Sequence, residues 1–249
     1  QPAPLLMLQG TASSVGKSVL TAAFCRILLQ DGYRVAPFKA QNMSNNADVT
    51  PDGLEIGRAQ PQQTAAAGLA PRVEMNPVLI KPQGDRTAQL VIDGRPAGTL
   101  KAEDYLNRRP RIWPSVERSL ATLRAEFDVV VAEGAGSPAE PNLRQADVVN
   151  MELALHASDT GGVNRSASVL IVGDIDRGGV FAHLVGTMQL LAPNERALVR
   201  GFLINRFRGD PSLLDPALID LEQRTGVPVL GVIPWIDDLG LAEEDGAAL

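Results

Sequence analysis

A chain of 249 residues with 45% hydrophobic but only 4% aromatic side chains must fill its core with aliphatics and alanine, which suits an α/β protein better than an aromatic-rich β-sandwich. The net charge of −6 and pI near 5.0 argue against a nucleic-acid partner, and the lack of any run of eighteen apolar residues argues against a membrane span. One cysteine, Cys25, and two distant histidines, His156 and His183, leave no disulfide framework and no zinc centre, and with no signal-peptide pattern the expected location is cytoplasmic.

"PLLMLQG" (4–10) reads as a buried strand ending in glycine. "GKSVLTAAFCRILLQDG" (16–32) has helical apolar spacing stopped at Gly32, and "YRVAPFK" (33–39) reads as the next strand. Residues 40–110 break the alternation: "EIGRAQPQQTAAAGL" is helix-like, and "AQLVIDG", within Gly and Pro punctuation, suggests a small hairpin. This region reads as an elaboration over the C-terminal edge of the sheet. Helices are expected at 115–125, 179–191 and 214–225, between buried strands "FDVVVAEG" (127–134), "SVLIVGD" (168–174), "VRGFLINRF" (199–207) and "VPVLGVIP" (227–234). The predicted fold is a mostly parallel sheet covered by helices on both faces, P-loop NTPase-like. Residues 1–236 read as one unit and 237–249 as a linker; nothing in the sequence sets the oligomeric state.

"GTASSVGKS" (10–18) lies between the first strand and the first helix, the place of a phosphate loop. The usual G-x-x-x-x-G-K-[ST] pattern puts its first glycine at position 11, which holds Thr11; Gly10 is one residue early. Gly16 permits the turn, Lys17 supplies a cation that reaches phosphate, and Ser18 can ligate Mg²⁺. Gly10, Thr11, Ser14 and Val15 complete the candidate nucleotide site; an ordinary Gly/Ser turn is the alternative. Glu133, at the end of "VVVAE", suits a Mg²⁺ ligand or a cap on the next turn. "GDIDRGG" brings Asp174, Asp176 and Arg177 to a third strand end, where Arg177 can touch an anion or form a surface pair with Asp176. All three ends share the edge at which parallel sheets bind ligands.

The shifted glycine resembles the lengthened loop of the dethiobiotin synthetase-like enzymes. Within that group "PFKAQNMSNN", "DGLEIGRAQ", "MNPVLIKP", "EGAGSPAEPNL", "DVVNM", "VGDIDRGGVFAHLVGT", "GFLINRFRGD" and "TGVPVLGVIP" resemble the cobyric acid synthases over nearly the whole chain. The resemblance implies ATP- and Mg²⁺-dependent amidation of carboxylates b, d, e and g of adenosylcobyrinic acid a,c-diamide through an acyl phosphate. It implies that Lys17 and Ser18 hold phosphate and Mg²⁺ and that Glu133 and Asp52 serve the metal; Asp174 and Arg177, from their place at the third strand end, are catalytic candidates beside Lys17 and Glu133. Asn205 matches the adenine-reading position, with Pro234 flanking. Lys39, Gln41, Asn42, Asp52, Glu55, Arg58 and Gln60 are placed over the phosphates or the corrinoid carboxylates; a solvated helix face is the alternative for Arg58 and Gln60. Arg86 and Arg144 are further candidates to line the corrinoid site, whereas the arginines of "NRRPR" read as solvated surface.

Two departures from the family pattern stand out. The chain ends at Leu249, where the family's glutaminase domain would begin, so ammonia is expected from that domain or another source. "HASDTGGVNRSASVL" (156–170) is longer than the family's entry to that strand and reads as a loop insertion. Two other functions compete: a stand-alone ligase of a smaller acid, disfavoured by the long 40–110 elaboration, and a P-loop ATPase switch, disfavoured by "GTA" where such loops carry an extra lysine.

Overall fold

The computed structural model describes residues 1–84, 86–159 and 167–237. β1 (Leu5–Gly10), α1 (Lys17–Gln30) and β2 (Val35–Phe38) form the expected opening unit. Next come β3 (Gln41–Met43), β4 (Ala47–Val49), β5 (Glu55–Gly57), α2 (Ala59–Ala66), β6 (Val78–Pro82), β7 (Thr87–Ile92), β8 (Arg95–Lys101) and α3 (Arg109–Glu126). β9 (Val129–Glu133), α4 (Met151–Asp159), β10 (Ala167–Asp174), α5 (Val180–Leu190), α6 (Pro193–Arg196), β11 (Val199–Phe207), α7 (Asp215–Thr225) and β12 (Val229–Pro234) follow.

Six of these strands form one parallel sheet in the order β2-β9-β1-β10-β11-β12. Alternation along β1 sends Leu5 and Met7 into the larger core and Leu6 and Leu8 against the smaller one. The larger core takes Ile112, Val116, Leu120 and Leu123 of α3 with Leu153 of α4 and Leu184 of α5; the smaller takes Leu20 and Cys25 of α1. Each fully buried Leu, Ile or Phe contributes about 1.5–3 kcal/mol. Sheet register places Leu8 beside Glu133 and Asp174 beside Asn205, so these polar groups share the C-terminal edge with Gly10. No helix among the described residues is long and apolar enough to cross a membrane.

The elaborated region differs from its sequence reading. The expected hairpin is the outer part of a four-stranded sheet, β3-β6-β7-β8, because "VLIKP" pairs antiparallel with β7 and parallel with β3. The helix-like stretch from Glu55 starts only at Ala59, since Glu55–Gly57 pairs with Ala47–Val49. α3 starts six residues earlier than expected. Pro110 sits in its first turn, where a missing N–H has no helical partner to lose, and the buried Ile112-to-Leu123 stripe carries the helix past Pro114. Of the expected 156–170 insertion, His156–Asp159 end α4 and Ala167 begins β10; 160–166, like most of the expected linker, lie outside the described residues.

Candidate functional site

The early glycine has a steric reason. A Cβ on Gly10 would fall 2.6 Å from Val15 Cγ2 and 3.0 Å from Lys17 Nζ, so the loop folds tightly back on its own strand. Ser14 (φ 57°) and Gly16 (φ 102°) are left-handed, and Gly16 turns the chain into α1. Thr11 N–H donates to the Val172 carbonyl at 2.9 Å. Lys17 Nζ, nearly buried, donates to the carbonyls of Ala12 at 2.8 Å and Gly136 at 3.1 Å, tying the loop to the turn after β9. From β11, Asn205 Nδ2 donates to the Val15 carbonyl at 2.9 Å, and a Cβ on Gly16 would clash with that nitrogen. Asn205 thus clamps the loop from behind.

Beside the loop, the end of β9 buries the carboxylate of Glu133. Ser18 Oγ donates to its Oε1 at 2.8 Å, Lys39 Nζ pairs with the same oxygen at 3.1 Å, and Gln63 Nε2 donates to Oε2 at 2.7 Å. Burial pushes the Glu133 pKa up, but the Lys39 charge and the Ser18, Gln63 and Lys39 hydrogen bonds outweigh it and hold the carboxyl below its ordinary range. Gln63 comes from α2, so the elaborated region helps to build this cluster. Its partner Gln60 is fully buried and donates from Nε2 to Gln63 Oε1 at 3.2 Å and the Met75 carbonyl at 3.3 Å. That rules out a solvated helix face for Gln60, while Arg58 is exposed.

The Ser18 and Glu133 oxygens suit a hard divalent cation. Their 2.8 Å separation compares with about 2.9 Å between adjacent corners of an octahedron with ~2.05 Å bonds. No group of three or more His, Cys, Asp or Glu side chains able to hold a metal occurs among the described residues, so such an ion would draw its other ligands from water and phosphate. Asp52, expected beside the metal, is exposed on the turn between β4 and β5, and no contact joins it to Ser18 or Glu133 among the described residues. Glu55 pairs with Lys81 at 2.5 Å.

The third strand end forms its own charge cluster. Buried Asp174 pairs with Arg206 at 2.8 Å and Arg177 at 3.4 Å, and accepts from the Asp176 N–H at 3.0 Å. Asp176 pairs with Arg208 at 3.4 Å rather than with Arg177. Arg208 stacks 3.7 Å over the Trp235 ring, next to the exposed Pro234. This cluster reaches the phosphate loop through Asn205, whose carbonyl accepts from Ile175 N–H at 3.1 Å.

An open cleft of about 230 Å³ lies where the Gly136 turn meets β3. Gln41, Tyr105, Arg108, Ser137, Asp147 and Asn150 line it. Gln41 is buried, and its Oε1 accepts from Arg108 Nε at 2.8 Å; Asn42 is buried nearby against Gly57. Arg108 corrects the reading of "NRRPR" as solvated surface, since it is 5% exposed; Arg109 pairs with Glu152, and Arg111 is exposed. Arg144, at the edge of the cleft, donates to the Leu190 carbonyl and pairs with Glu195, and Arg86 is exposed.

The sequence pattern of the CobQ/CobB/MinD/ParA nucleotide binding domain matches residues 6–249. The chain belongs to this family. Its nucleotide-binding domain is thus P-loop NTPase-like, in accord with the parallel sheet and the loop after β1. Among its relatives, a cobyric acid synthase of Chloroflexus aggregans is 57% identical over 248 residues, covering 100% of this chain and 49% of the relative. Another, of Nitratidesulfovibrio vulgaris, is 58% identical over 247 residues, covering 99% and 44%. The chain spans about half the length of the curated relatives it matches. Among solved structures, the MinD cell division protein of Aquifex aeolicus overlays with a TM-score of 0.48 at 13% identity, covering 96% of this chain and 85% of MinD.

Gln63 and Arg108 are the site residues that sequence reasoning missed. Gln63 stands one helical turn from Gln60, a spacing that puts both on one face. Arg108 had no local signal, because a basic run reads the same whether or not one member turns inward.

Proposed function

We propose that this chain is the ATP-dependent synthetase part of a glutamine-dependent amide ligase that converts adenosylcobyrinic acid a,c-diamide to adenosylcobyric acid. The convergence of Lys17, Ser18 and Glu133 at the mouth of the phosphate loop, beside an open cleft, carries the chemistry. The relatives' name points to the acceptor.

In this reading residues 1–236 form the synthetase unit, with 40–110 over its active-site edge. A carboxylate oxygen of the acceptor attacks the γ-phosphorus of ATP and ADP leaves. Ammonia, from a glutaminase domain or free in solution, then attacks the acyl carbon and expels phosphate. Lys17 and the loop N–H groups bind the phosphates and oppose the charge that builds up on them. Ser18 and Glu133 would hold Mg²⁺, which supplies further charge neutralisation. Lys39 and Gln63 keep Glu133 ionised and oriented. Asn205 fixes the loop from β11, and its match to the family's adenine-reading position favours ATP.

The test is ADP release by the purified chain with Mg·ATP and ammonium chloride, with and without the a,c-diamide, using Lys17→Ala as control. Corrinoid-dependent ADP release, with mass gains matching new amides, is expected. ADP release indifferent to the corrinoid but stimulated by a smaller acid or by a protein partner would overturn the proposal.

A further inference from the structure

Arg108 is a buried cation that forms no salt bridge among the described residues. Its guanidinium lies 3.8 Å over the Tyr105 ring, and Nη1 donates to the Tyr105 carbonyl at 2.7 Å. Nε donates to Gln41, a neutral amide, and Nη2 makes no hydrogen bond among the described residues. Burial pushes its pKa down even though Tyr105 and Asp147 pull it up. Nearby acids are committed elsewhere. Asp147 accepts the Val149, Asn150 and Glu152 N–H groups at 2.9–3.0 Å, and Glu195 holds Arg144 and the Ala192 N–H. Glu140, also on the cleft, is exposed. A buried guanidinium kept beside an amide rather than a carboxylate is matched to an anion that arrives from outside.

The cleft's size narrows what that anion is. At about 230 Å³ it falls below the ~300–1,000 Å³ of pockets that enclose drug-sized ligands, so it has room for a side arm but not a macrocycle. It also opens beside the phosphate loop, because the Gly136 that lines it accepts from Lys17 Nζ.

We infer that this cleft receives one carboxylate-bearing arm of the acceptor at a time, with Arg108 as the group that anchors it and the macrocycle left outside. The inference rests on the amide-ligase reading above and replaces exposed Arg58 and Arg177 as the primary carboxylate anchor.

Two variants test it in the same ADP-release assay, with circular dichroism to verify folding. Arg108→Lys keeps the charge but loses the planar fork. Gln41→Glu is nearly isosteric and gives Arg108 an internal counter-ion that competes with the arriving carboxylate. Each is expected to raise KM for the a,c-diamide about tenfold to a hundredfold, the size of one charge-assisted contact, with KM for ATP unchanged within about twofold. An unchanged corrinoid KM in folded Gln41→Glu, alongside an active unaltered protein, would overturn the anchor assignment alone. Absence of corrinoid-dependent turnover in the unaltered protein would overturn the ligase reading and the anchor with it.

Discussion

Replacing Lys39 by methionine removes one half of a buried ion pair and leaves the other half in place. The pair is 3.1 Å long, with side chains 6% and 2% exposed. Removing one partner of such a pair costs about 3–5 kcal/mol, because the remaining charge has neither water nor a counter-ion. Ser18 and Gln63 still donate to Glu133, which puts the expected loss near the lower end, about 3 kcal/mol. For a protein of this size that corresponds to a fall in Tm of about 6–12 °C. The pH dependence distinguishes this mechanism from simple loss of packing. In the unaltered protein the folded Glu133 pKa is depressed, so its stabilisation is present above the unfolded carboxylate value of about 4.3 and is lost as pH falls through the folded value. In Lys39→Met, burial, the largest influence on Glu133, loses its main opponent and the pKa rises. The variant's folded state then takes up a proton more readily than its unfolded chain, so its deficit shrinks as pH falls from 7.5 to 5. Thermal melts of both proteins across that range measure the gap. A Tm difference below about 2 °C at pH 7.5, or a gap that stays constant with pH, would refute the reasoning.

Further predictions follow from the loop and the first helix. Gly16→Ala forces a Cβ onto Asn205 Nδ2 in a left-handed conformation; loss of the Asn205–Val15 bond and backbone strain together should cost about 2–4 kcal/mol, read by urea denaturation. If Lys17 binds phosphate as proposed, Lys17→Ala should weaken ATP binding by about tenfold to a hundredfold in isothermal titration while the fold persists, the size of one charge-assisted contact. Burial pushes the Cys25 thiol up to about 12, so iodoacetamide at pH 8 should leave it unlabelled in the native protein and label it fully in urea.

Local pattern carried the six parallel strands: five are largely buried and written as apolar runs, and β12, expected to be buried as well, is a half-exposed edge strand whose run is just as apolar. It also carried Lys17, Ser18 and Glu133, whose positions follow from where a strand stops. The elaborated region was harder to read. Glu55–Gly57 and Gln41–Met43 are strands of three residues, and a strand that short is specified by its partner rather than by its own sequence. The inward turn of Arg108 depends on Gln41 and Tyr105, one of them 67 residues away, so no single window of sequence contains it. Family position alone points to Asn205 as an adenine contact, whereas its amide fastens the phosphate loop, a role visible only once β11 lies beside β10.

In the proposed reaction the loop at Gly10–Ser18 delivers phosphate to an acceptor carboxylate. The most direct measurement labels the carboxylates of adenosylcobyrinic acid a,c-diamide with ¹⁸O and follows the isotope during turnover with Mg·ATP and ammonium chloride. An acyl phosphate predicts one ¹⁸O transferred to inorganic phosphate for each amide formed. Amide formation with unlabelled phosphate, or phosphate release with no amide, would contradict it.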